Sequence, residues 1–229
     1  MLSRLPAVTR ALLIANIAIS LLDLALGAFD QWRWFLPLRL WPLLPADSAW
    51  EYGFMPWQLV THAFLHADPV HLILNMFGLV MFGAPLEHEW RARRFITLYA
   101  VSMLGGGLCQ LALTSLMLRY GGPPMSTVGA SGAIFGLMVA YARLHPNHRI
   151  GLLFLPVMMK ARTMIAIIIV LQLVLAIVPG GGNVAYLAHL GGALSGWLLL
   201  LWWERARRKP PSPPTGGRRE RPNHLRLVR

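Results

Sequence analysis

Residues 184–203 read Val-Ala-Tyr-Leu-Ala-His-Leu-Gly-Gly-Ala-Leu-Ser-Gly-Trp-Leu-Leu-Leu-Leu-Trp-Trp, a mainly apolar run that meets charge only at Glu204 and Arg205. A helix needs roughly 20 mainly apolar residues to cross a bilayer core, and this run has that length. Trp202 and Trp203 close it in the manner of interfacial anchors. Within it stand His189 and the pair Gly192/Gly196. A lone lipid anchor needs neither an imidazole nor a small-residue stripe. The run therefore predicts a transmembrane helix packed closely on a neighbour.

Working outward, five more runs fit the same template, at about residues 11–29, 70–86, 95–118, 128–144 and 163–178. Composition agrees. Of 229 residues, 56% are hydrophobic and 13% charged, against roughly a quarter charged in soluble domains. This excludes a disordered chain, a disulfide scaffold and an ordinary soluble enzyme. Cys109 is the one cysteine, so no intrachain disulfide can form. The first run follows Arg4 and Arg10 but exceeds the 7–15 residues typical of a signal-peptide core, so an uncleaved span is expected. The segment 150–159 contains Pro156 and is expected to be an interfacial loop rather than a seventh span.

A net charge of +12 would suggest a nucleic-acid partner in a soluble protein. Its placement says otherwise. With six spans and both termini inside, eighteen of the 21 Lys and Arg fall on the inner side. Without the tail the ratio is still nine to three. This is a positive-inside signal; no nucleic-acid partner is expected. The layout predicts a multi-pass protein of the cell (cytoplasmic) membrane with both termini cytoplasmic. Residues 1–10 form a short N-terminus, 11–203 the membrane domain, and 204–229 a basic, Pro- and Gly-rich disordered tail. The outer loop, about residues 30–69, carries Trp32, Trp34, Trp41, Trp50 and Trp57 among prolines and is expected to lie in the interface. No internal repeat is visible, which argues against a transporter.

Polar groups inside spans are costly and so are functional candidates by default. Four stand out: His71, Asn75, Ser131 and His189. Asp68 can cap the second span with Pro69 at its first position, Ser126 or Thr127 the fourth, and Asn183 the sixth. Counted at 1.5 Å per residue, the four side chains then lie roughly 4–10 Å below their helix starts, at a common level. A serine hydroxyl becomes a nucleophile when a base within hydrogen-bond reach takes its proton, and a neutral histidine suits that role. His71 and Asn75, four apart, share a helix face and can donate to an oxyanion, with the Ser131 backbone N–H as third donor. Gly132/Gly136 and Gly192/Gly196 would let the fourth and sixth spans approach closely. Phe135, one turn after Ser131, could pack on the His189 ring. His62 and His66 are four apart, but Ala63 stands where a zinc protease needs glutamate, so no metal is expected. Glu87, His88 and Glu89, beside Arg91, Arg93 and Arg94, read as a solvated inner loop.

The motifs GASGAIFG (129–136), AHLGGALSG (188–196), HLILNMFG (71–78) and the preceding THAFLH (61–66) together resemble the rhomboid family of intramembrane serine proteases. The resemblance implies an all-α, six-transmembrane-helix rhomboid-like bundle. It makes Ser131 the nucleophile, His189 its base, and His71, Asn75 and the Ser131 amide the oxyanion donors. Gly129, Gly132, Phe135, Gly192, Gly196, His62 and His66 become supporting positions, the two histidines at the cavity, and Glu87 a polar structural one. It implies a Ser-His endopeptidase acting in or near transmembrane segments of membrane-protein substrates, with no metal or cofactor. The alternative is a catalytically silent relative that binds or escorts membrane proteins. Two departures appear: Gln58 stands where the family often has a loop-stabilising arginine, and Phe135 where many members have tyrosine. Nothing in the sequence sets an oligomeric state.

Overall fold

A computed structural model describes residues 2–28, 34–44, 50–152, 155–177 and 186–208. The expected Asn183 cap, Trp32 and the tail beyond residue 208 lie outside the described residues. The chain is mostly helical. In order come α1 (Ala7–Ala28), α2 (Gln58–Thr61) running into a 3₁₀ turn (His62–Phe64), α3 (Pro69–Gly78), a π turn (Leu79–Gly83) and α4 (Ala84–Arg119). After these follow α5 (Ser131–Leu144), strands β1 (Arg149–Leu152) and β2 (Leu155–Lys160), α6 (Ala161–Ile177) and α7 (Tyr186–Arg208). Each of the six apolar runs is helical where described, except that the fourth becomes helical only at Ser131.

Two local rules shape the α3–α4 stretch. Pro85 has no N–H to give to the preceding turn, and the chain widens into the π turn just before it. At Arg91 the backbone leaves helical geometry (φ 61°, ψ 165°), so residues 84–90 extend α3 and residues 92–119 form a separate limb. Glu87 just precedes this break and is buried rather than solvated. Its carboxylate accepts from the backbone N–H groups of Val8 (2.9 Å) and Thr9 (2.7 Å) and from the Thr9 hydroxyl (2.8 Å). It thus satisfies free donors at the start of α1, where negative charge is favoured.

The bundle is not wholly α. Strands β1 and β2 pair antiparallel, Arg149 with Lys160 and Ile150 with Met159. This replaces the loop expected there. Residues 204–208, expected at the start of a disordered tail, are helical: α7 continues without a break through Glu204 to Arg208. Arg143 makes a two-pronged contact with Glu204, each bond 2.6 Å, tying the ends of α5 and α7.

The core lies where α4, α5 and α7 meet, with Phe95, Leu98 and Leu137 fully buried. Glycines set the spacing of α5 and α7. A side chain at Gly192 would run into the Gly132 carbonyl and meet its Cα at 2.9 Å, and one at Gly196 would meet the Gly136 Cα at 2.9 Å. Gly192→Val should therefore destabilise by about 3 kcal/mol, a drop of about 10 °C in thermal unfolding in detergent. Gly27 has open space around it, and Gly27→Val serves as the control. Equal melting of the two variants would contradict this packing. Large apolar side chains such as Ile14, Leu22, Ile167, Val170, Leu194 and Leu198 face outward on α1, α6 and α7.

Candidate active site

Ser131 is the first residue of α5, not several residues inside it as a cap at Ser126 or Thr127 would require. The reason is long-range pairing. Thr127 exchanges two backbone hydrogen bonds with Leu40 (3.0 and 2.9 Å), and the Gly129 N–H donates to the His62 carbonyl (2.9 Å). Residues 127–129 are thus held out of the helix, and Gly129 takes φ 123°, which a side-chain-bearing residue rarely adopts. Ser131 sits in the first turn, where backbone N–H groups have no intrahelical acceptor.

His189 reaches this turn from α7. Its Nε2 lies 2.8 Å from the Ser131 Oγ. The imidazole stacks on Phe135, with ring centroids 4.4 Å apart and planes 5° from parallel. Its other nitrogen, Nδ1, lies 2.6 Å from the Gln172 Oε1 on α6. The sequence reading did not single out Gln172. Its signal was available: a polar residue amid the apolar stretch 164–177.

The other two candidates come from α3. Asp68 caps that helix, its carboxylate accepting from the His71 N–H at 2.8 Å, and Pro69 occupies the first turn as expected. Asn75 is buried and donates one amide hydrogen to the His71 carbonyl (2.9 Å), leaving a second. His71, Asn75, Ser131 and His189 all line one cavity of about 760 Å³ between α3, α5 and α6. A side chain at Gly129 would meet the His71 Nε2 at 2.8 Å and the Ser131 Oγ at 3.7 Å. The missing side chain leaves the space between these two groups open. Arg39 stands at the cavity wall and reaches the buried Asp23 of α1 at 3.5 Å.

His62 and His66 are buried and do not line this cavity. His62 places Nδ1 2.7 Å from the Gln58 carbonyl and packs behind the Ser131 turn beside Gly129 and Gly132. His66 places Nδ1 2.8 Å from the Ser20 Oγ of α1 and its ring edge against His71, with centroids 5.0 Å apart. Gln58, where an arginine was noted as absent, is itself a tie. It is buried, accepts from the Trp41 N–H (3.1 Å), and donates to the carbonyls of Pro37 (3.1 Å) and Gly53 (3.2 Å). The loop keeps its brace through an amide.

Burial lowers both loop histidines from 6.5 to about 4, so both are neutral in the folded protein at pH 7. The unfolded chain binds their protons near pH 6.5. Their contribution to stability is therefore complete above 6.5 and is lost as pH falls toward 4. Each should remove about 1.4 kcal/mol per pH unit across that window. Thermal unfolding in detergent should be flat from pH 8 to 7 and fall below 6.5, less steeply in a His62→Gln/His66→Gln variant. Identical slopes for both proteins would contradict the assignment.

Comparison with known proteins places this architecture. Residues 53–204 match the family model described as Rhomboid domain. The chain is similar to RHOMBOID-like protein 6, mitochondrial, of Arabidopsis thaliana, at 34% identity over 71% of this chain and 52% of that protein. It is similar to RHOMBOID-like protein 1 of the same plant at 38% identity, over 62% of this chain and 33% of the relative. Rhomboid protein 1, mitochondrial, of Saccharomyces cerevisiae is 30% identical over 76% of this chain and 44% of its own length. The chain thus spans about a third to a half of these relatives. With more than half of its length matched to one family domain, on a mainly helical framework faced with apolar side chains, the chain belongs to the rhomboid family of membrane proteins.

Proposed function

We propose that this protein is an intramembrane serine endopeptidase that hydrolyses peptide bonds in or beside transmembrane segments of membrane proteins. The observation that carries the reading is the 2.8 Å contact between the Ser131 Oγ and the His189 Nε2, inside a cavity that His71 and Asn75 also line. The Ser131 hydroxyl attacks the scissile carbonyl carbon while its proton passes to Nε2 of His189. His71, Asn75 and the Ser131 N–H donate to the oxyanion. The C–N bond then breaks, and the imidazolium gives its proton to the leaving amine. Water, deprotonated by His189, attacks the acyl ester, releasing a carboxylic acid and restoring the serine.

The proposed setting is a cytoplasmic membrane crossed six times, by α1, residues 69–90, residues 92–119, α5, α6 and α7, with the basic termini inside. The short α5 supports a recessed site. Its 14 residues rise about 21 Å, less than a hydrocarbon core of about 30 Å. If its far end reaches the inner surface, Ser131 is sunk below the outer one. The substrates follow from that depth: membrane-embedded segments that can unwind into the cavity.

Purified protein in liposomes should cleave a co-reconstituted transmembrane reporter, and Ser131→Ala and His189→Ala should not. A catalytically silent binding protein predicts no cleavage by any of the three. That result would overturn the reading.

A further inference from the structure

We propose that Gln172 is a positioning residue of the dyad, its amide oxygen accepting the Nδ1–H of His189 and so holding the imidazole in the tautomer whose bare Nε2 faces Ser131. The inference rests on the proposed protease reading and adds a third member to its machinery.

A neutral imidazole carries one hydrogen on either nitrogen, and only the form with Nδ1–H leaves Nε2 free to take a proton from serine. Ser131 cannot select between the forms, since a hydroxyl both donates and accepts. The choice falls to whatever faces Nδ1. Here that is the Gln172 Oε1 at 2.6 Å, and an amide oxygen only accepts. Phe135 fixes the ring plane from one side, while Gln172 fixes rotation within that plane. The three contacts together, two from α5 and one from α6, determine position, plane and tautomer of a ring carried by α7.

Packing gives no other reason for this side chain. From Met164 to Ile177 every other residue of α6 is apolar, and Ile167, Val170, Leu171, Leu173, Val174 and Ile177 are exposed on its outer face. An amide in such a helix carries a desolvation cost unless it finds a partner, and the partner is His189. Ile168, one turn earlier, lines the cavity. One face of α6 therefore walls the substrate space and holds the base. The buried anchors of α6, Ala161, Met164 and Ile165, all lie in its first part. Alignment of the dyad then depends on where the second part of α6 stands.

The test compares wild type, Gln172→Leu, Gln172→Glu and Val170→Ala in liposomes with the transmembrane reporter, with Ser131→Ala as the blank. Leucine keeps the bulk and removes the acceptor; glutamate restores an acceptor; Val170 is an exposed control on the same helix. Gln172→Leu should lower kcat by about 10- to 100-fold with little change in KM, glutamate should recover most of it, and Val170→Ala should match wild type. Imidazole ¹⁵N spectra of selectively labelled protein should show His189 protonated at Nδ1 in wild type and shifted toward Nε2–H in Gln172→Leu. Wild-type turnover with an unchanged kcat in Gln172→Leu, or an Nε2–H tautomer in wild type, overturns this proposal alone. Equal losses in the leucine and glutamate variants, together with lowered melting temperatures, would mark Gln172 as structural and overturn it too. Wild type no faster than Ser131→Ala removes the protease reading, and this proposal with it.

Discussion

The Ser131→Ala protein should cleave a transmembrane reporter at least about ten-thousand-fold more slowly than wild type, and adding His189→Ala should slow it no further. Removing the nucleophile of such a unit costs several orders of magnitude in kcat, and the losses do not add because neither residue acts without the other. The 2.8 Å contact between the Ser131 Oγ and His189 Nε2 places the two side chains in that relation. Neither substitution should unfold the protein. Ser131 occupies the first turn of α5, and the close approach of α5 to α7 runs through Gly132/Gly192 and Gly136/Gly196. Melting temperatures should stay within a few degrees of wild type while turnover disappears. Additive losses would mean that the two residues work independently.

Asn75→Ala and His71→Ala should each reduce kcat by about 100- to 1,000-fold with KM nearly unchanged, the size expected for one preorganised oxyanion donor. The two side chains stand on the same face of α3 and open onto the cavity that holds Ser131. Gly129 leaves the space between His71 and the serine free. Charge develops on the scissile oxygen only as the tetrahedral intermediate forms, so the loss should fall on kcat rather than on substrate affinity. A rise in KM with kcat intact would instead assign the pair to substrate binding. Steady-state turnover in liposomes over a range of reporter densities separates the two.

Much of the fold was legible because each long helix carries an apolar run and α3 also carries its own terminal signal. Asp68 and Pro69 mark the start of α3 in the sequence and in the structure. The spacing of His71 and Asn75 alone puts them on one face, and the place of Phe135 one turn after Ser131 anticipates its ring stack on His189. What stayed hidden depends on partners distant in the chain. Residues 127–129 look able to begin a helix, but Leu40 and His62 hold them out of it, and this puts Ser131 in the first turn. Glu87 reads as one more charge in a polar loop because its partners, the amides of Val8 and Thr9, lie 78–79 residues away. Gln58 reads only as a missing arginine, since hydrogen bonds to Pro37, Trp41 and Gly53, 5 to 21 residues away, have no local pattern. The strand pair β1–β2 likewise forms by cross-strand pairing, which helix periodicity does not report. Gln172 was visible as a polar residue in an apolar span, but nothing near it in sequence names His189 as its partner.

Covalent trapping measures directly whether Ser131 is a nucleophile activated by His189. Protein reconstituted in liposomes is exposed to a fluorophosphonate, digested, and its peptides mapped by mass spectrometry. One phosphonylated site is expected, at Ser131, formed in wild type and lost in His189→Ala. An adduct on another residue, no adduct in wild type, or modification of Ser131 that is equally fast without His189 would contradict it.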